Sequence, residues 1–141
     1  MLNSKYENRL LEWRMLRDEL EESEDPLRRC LEFWENVPEV RIAADPYDKE
    51  KWPGPWEMIE ENNFCSFVKI LAICYTLQLT ERFSQSSFEI NIVQDRNKQD
   101  VFYLLFFDTT CIGYEPMKAI PIEDLPKNLL FEMRCPMPNL Q

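Results

Sequence analysis

The chain has 141 residues, 45% hydrophobic and 13% aromatic, a composition that argues against disorder and allows a real core. Its formal net charge of −10 leaves no basic footprint for nucleic acid at the whole-chain level. With only 2 glycines, a phosphate-cradling or dinucleotide-binding loop is ruled out, and the lack of histidine removes the commonest general base and metal ligand.

From the N-terminus, Ser4 and Glu7 make an S-x-x-E pattern that predicts a capping box. Tyr6, Leu10, Trp13 and Leu20 then follow helical spacing, with Leu16 or Arg17 between, while Leu11 and Met15 widen the apolar face. The acidic run EESED ends this helix. Asp25-Pro26 starts a second, with Asp25 as N-cap and Pro26 at the first position. Leu27, Cys30, Leu31 and Trp34 share one side of it, and Pro38 closes it. Val40 to Ala43 reads as a short extended piece, and ADPYDKEKWPGP as a connector rich in turn formers. Pro55 seeds a short helix through Ile59.

Asn63 then reads as the N-cap of a helix from Phe64 to about Phe83, apolar on nearly all sides and therefore covered on several faces. The period changes after it. SFEINIVQ reads as a strand, DRNKQD as a turn, and VFYLLFF as an interior strand covered on both faces. DTT is a second turn, CIGYE a third strand, PIEDLP a loop or single helical turn, and LLFEMRC a final strand. The expectation is one α+β domain: a helical hairpin (1–38), a Pro/Trp-rich connector (39–63), a buried core helix (64–83), an antiparallel meander of three to four strands (87–135) and an extended tail (136–141).

The chain's 5 cysteines form no C-x-x-C pair, so no zinc site is expected, and they read as free, mostly buried thiols of a reducing compartment. The opening MLNSKYENRLLEW carries charges throughout and reads as no secretory signal, and the apolar run from Phe64 to Leu79 is too short and mixed to span a membrane. Cys65, at the head of an apolar helix, occupies the kind of place where thiol enzymes set a nucleophile. Glu57, Glu60 and Glu61 lie within one helical turn and read as a solvated face, and Asp95, Asp100 and Asp108 do not match a calcium loop. No catalytic, cofactor or metal residues are expected. Trp13 and Trp34 fit helix faces and belong to the core. Trp52 and Trp56 flank PGP on a pre-organised corner, which either braces the core helix or presents aromatic surface to a partner. Met137 and Leu140 lie in the C-terminal tail, which reads as extended and able to insert into a neighbour.

Two resemblances follow from these residues. The order of a cysteine-headed helix followed by strands resembles, over residues 60–116, a transglutaminase-like core. Where that resemblance implies a catalytic His and Asp, this chain holds Asp100 or Val101, and Glu115, so it implies at most an inactive relative. WPGPWE (Trp52 to Glu57), ENNFC (Glu61 to Cys65) and KILAICYTLQL (Lys69 to Leu79) resemble small proteins of contractile-tailed bacteriophages of cyanobacteria. That resemblance implies a virion component of neck, tail or baseplate, made in the host cytoplasm and present in several copies. Its partners would be other virion proteins, with no nucleic-acid readout, no membrane and no enzymatic role. Trp52, Trp56, Met137 and Leu140 are the expected partner contacts. The alternatives are the inactive thiol-hydrolase relative and an intracellular phage protein that binds a basic host partner.

Overall fold

A computed structural model describes residues 4–116 and 118–140, in which four α-helices precede a five-stranded antiparallel sheet. The helices are α1 (Tyr6–Glu22), α2 (Pro26–Glu35), α3 (Pro55–Glu61) and α4 (Ser66–Gln78). The strands are β1 (Phe88–Asp95), β2 (Asp100–Phe107), β3 (Thr110–Ile112), β4 (Ala119–Pro121) and β5 (Leu129–Pro136). The fold is α+β.

The finer helix scheme is corrected. The short helix expected from Pro55 is α3, which runs on to Glu61 and packs on α1 and α4, so the connector is part of the helical body. Asp25 does cap α2, its carboxylate accepting from the Arg28 backbone N–H at 3.2 Å. The capping box at Ser4 is absent: Lys5 takes the N-cap position of α1 and no side chain caps it. Arg9, not an apolar residue, fills the first buried position of α1. Its guanidinium donates to the carbonyls of Ile59 (2.8 Å), Glu60 (2.9 Å) and Ser4 (2.7 Å), joining the start of α1 to the end of α3. Val40 to Ala43 forms no strand, although the Val40 backbone N–H donates to the Phe64 carbonyl at 3.0 Å.

α4 is shorter than expected at both ends. Asn62, at φ 54°, ends α3 in the left-handed region, and Cys65, not Asn63, is the N-cap of α4. At the other end the Thr80 hydroxyl takes the Leu77 carbonyl, turning the chain after Gln78. Nearly every side chain of α4 is buried, consistent with contacts to α1, α2, α3, β1 and β2.

The sheet has five strands rather than three to four, in the order β4-β3-β2-β1-β5. β4 is the strand missed in the sequence, because two of its three residues are not β-branched and one is proline. β1 through β4 form a meander, but β5 returns to pair with β1 at the opposite edge. Phe88, Ile90, Leu105, Phe107 and Ile112 face the helices and share their core. Val93, Leu104, Phe106 and Cys111 form a second, smaller cluster on the other face, flanked by Phe131 and Leu129 of β5. That face explains the continuous apolar run in β2.

Candidate functional site

Two prolines and one glycine build the aromatic corner. Pro53 and Pro55 fix their φ angles, and Gly54 caps α3, its backbone N–H donating to Glu57 at 3.2 Å. The corner is tied down from below, since the Tyr75 hydroxyl of α4 donates to the Pro53 carbonyl at 2.8 Å. The two tryptophans then part company. Trp52 is half-buried: its indole N–H donates to the Pro46 carbonyl at 3.0 Å and its ring tilts against Phe67, centroids 5.1 Å apart. Trp52 therefore braces α4. Trp56 is 49% exposed and meets the buried Trp13 edge-to-face at 5.3 Å.

Arg17 completes this corner. Its guanidinium carbon lies 4.6 Å from the Trp13 ring centroid and 5.8 Å from that of Trp56. Burial pulls its pKa below the ordinary value, with Asp18 opposing and Arg14 adding to the effect. Its Nε is buried without a hydrogen-bond partner. An exposed indole backed by a cation is the kind of surface found at the centres of protein interfaces. The sequence carried a trace of this: Arg17 stands four residues after Trp13, where the helical stripe offers Leu16 or Arg17.

Leu11 and Met15 do not enter the core. They are 57% and 62% exposed on the crest of α1, because Trp13, Leu16 and Leu20 already fill the inward face. Between this crest and α2 runs a groove of about 450 Å3 whose floor includes Leu16 and Phe33. A second apolar groove, about 630 Å3, lies between the end of α2 and α4 and includes Trp34, Ile73, Ile112 and Gly113. Lys69 sits in it, its ammonium 3.8 Å from Glu39.

The other two expected contacts, Met137 and Leu140, are half-buried against the chain's own helical core. The Met137 backbone N–H donates to the Phe88 carbonyl at 2.9 Å, and the Gln78 amide donates to the Pro138 carbonyl at 2.9 Å. The structure thus brings Trp52 and the tail onto the body and leaves Trp56 displayed.

Cys65 is buried at the head of α4 and lines a shallow groove of about 330 Å3 with Asp45, Ser66 and Tyr103. The Tyr103 phenol is held above its ordinary pKa by burial first, then by Cys65 and Asp45. A phenol held protonated is no base for a thiol at neutral pH. Neither Asp100 nor Glu115 lines this groove. The other thiols are buried too: burial pushes Cys30 and Cys74 well above the ordinary thiol range and Cys111 up to about 12.

Among the described residues, no group of three or more Cys, Asp or Glu side chains is arranged to hold a metal ion, and no helix is long and apolar enough to cross a membrane. Comparison with protein-family models, with curated proteins and with solved structures finds no match.

Proposed function

We propose that this protein works by contact, as a non-enzymatic assembly component of a tailed-bacteriophage particle in the neck, tail or baseplate region. The observation that carries the contact role is the Trp56–Arg17 corner. Trp and Arg are the side chains most enriched at the energetic centres of protein interfaces. Here the indole is exposed on a helix started by two prolines, so little freedom is lost when a partner covers it. Leu11 and Met15 extend apolar surface along α1 on the opposite flank. The particle itself is proposed from the resemblance of WPGPWE, ENNFC and KILAICYTLQL to phage proteins. Mass spectrometry of purified particles of the encoding phage tests it: the chain is expected as a stable component, and its absence rejects the assignment.

A further inference from the structure

The segment Val40 to Ala43 has the residues of a strand but, among the described residues, no strand to pair with. It is tied at both ends. The Val40 backbone N–H donates to the Phe64 carbonyl at 3.0 Å, and the Asp45 carboxylate accepts from the Tyr47 backbone N–H at 2.9 Å. Between these ties, among the described residues, no backbone N–H or carbonyl of Arg41, Ile42, Ala43 or Ala44 is hydrogen-bonded. The segment borders the groove of about 330 Å3 that Cys65 and Tyr103 also line. Ile42 is 78% exposed, more than any other large hydrophobic side chain described. Arg41 beside it is exposed too, and its guanidinium has no ion-pair partner among the described residues.

The chain crosses this segment once, between the α1–α2 hairpin and everything that follows, and all five cysteines are free, so no disulfide joins the two sides. What joins them otherwise is non-covalent and broad. α2 packs on α4, and α1 packs on α3 and α4. The indoles of Trp13 and Trp34 both donate to the Thr76 hydroxyl, at 2.9 and 3.1 Å. Arg9 reaches the carbonyls of Ile59 and Glu60, and the Glu21 carboxylate accepts from the backbone N–H groups of Glu81 (2.8 Å) and Arg82 (3.0 Å). The aromatic corner itself spans both sides, with Trp13 and Arg17 from one and Trp56 from the other. None of these contacts needs the bond between residues 41 and 42.

Proteolytic nicking is decided by the burial and hydrogen bonding of the backbone to be cut. A bound peptide pairs its extended main chain with the cleft that holds it, and a specificity pocket that ends in a carboxylate selects arginine before the scissile bond. Arg41–Ile42 meets each need: an exposed guanidinium without an ion pair, exposed flanking side chains and a main chain with nothing to give up. We propose that this bond is a processing site, cut in the folded chain by a trypsin-like protease, and that the two pieces stay together as one body. Hydrolysis breaks the bond between the Arg41 carbonyl carbon and the Ile42 nitrogen. Water supplies the oxygen of the new Arg41 carboxylate and the proton taken by the Ile42 amine. Every other arginine is worse placed. Each lies in a helix, in β5 or in the tight β1–β2 turn, except Arg82, which is held by the carbonyls of Leu20 (3.1 Å) and Ser23 (2.7 Å). The site is separate from the Trp56 corner and does not depend on the phage assignment.

Limited digestion of the full chain with trypsin, read by intact-mass spectrometry, tests it. The first products are expected to be residues 1–41 and 42–141. On a native size-exclusion column the two pieces elute together at the position of the uncut chain, and they part only in denaturant. Arg41→Gln, at an exposed position, leaves the melting curve unchanged and slows the first cut at least about tenfold. Arg41→Lys, whose charge the same pocket accepts, is still cut first at this bond. A first cut at another bond, an Arg41→Gln chain cleaved as fast as the wild type, or pieces that separate on the native column overturns the proposal.

Discussion

Replacing Thr76 by valine tests the packing account at its centre. Thr76 is fully buried on α4, and its single hydroxyl oxygen accepts from the indole N–H of Trp13 at 2.9 Å and of Trp34 at 3.1 Å. The same hydroxyl donates to the Ala72 carbonyl, so one side chain joins α1, α2 and α4. Valine keeps the shape and removes the oxygen. Both indole N–H groups are then buried without a partner, at about 1–3 kcal/mol each. Valine relieves the back-bond to the helix, which returns a few tenths of a kcal/mol. The net loss is about 2–6 kcal/mol. For a chain of this size that lowers the melting temperature by roughly 6–20 °C. Urea unfolding followed by tryptophan fluorescence measures it, with the m-value unchanged. Thr76→Ser keeps the oxygen and costs about 1 kcal/mol for the lost methyl. If Thr76→Val costs less than Thr76→Ser, the shared hydroxyl is not what holds the three helices together.

Two further outcomes follow from the same coordinates. Gly113 has φ +109°, and a β-carbon there would lie 2.4 Å from the Tyr103 carbonyl oxygen, so Gly113→Ala is expected to cost about 2–4 kcal/mol by chemical denaturation. The buried thiols make stability fall in alkali. Cys30, Cys74 and Cys111 have raised pKa values in the folded state, so the unfolded chain loses their protons first, from about pH 8.5 upward. Their contribution is complete below that pH and is lost as pH rises toward the folded values, at up to about 4 kcal/mol per pH unit for three thiols. The urea midpoint should be flat between about pH 7 and 8 and fall steeply above about pH 9, and a flat profile to about pH 10 would contradict this burial.

The change from helical to alternating period near residue 84 was legible because period is a property of the chain itself. So were Trp13 and Trp34 as core residues and Asp25-Pro26 as a helix start. What was not legible depends on partners distant in sequence. Arg9 looks like a surface residue until the end of α3 brings two carbonyls, of Ile59 and Glu60, within reach beside that of Ser4. Leu11 and Met15 carry the right spacing for a wide apolar face, but α1 has neighbours on one side only. Thr76 gives no signal in the sequence, since its role exists only once two indoles converge on it. At the candidate site, WPGPWE announced a rigid corner, but which tryptophan is displayed was decided by Phe67 and Pro46 for Trp52 and by Arg17 for Trp56. The tail looked free because nothing local shows that Gln78 holds it.

The most direct test of the contact role compares particles assembled with the wild-type chain and with Trp56→Ala, supplied in trans to phage lacking the gene. Truncating this half-exposed ring leaves the protein folded at a cost of roughly 1–2 kcal/mol, checked by its melting curve. Quantitative mass spectrometry of the purified particles is then expected to find the wild-type chain and to find Trp56→Ala depleted at least about tenfold, as truncation of an interface centre does. Equal incorporation of a folded Trp56→Ala chain, or no wild-type chain in the particles, would contradict the account.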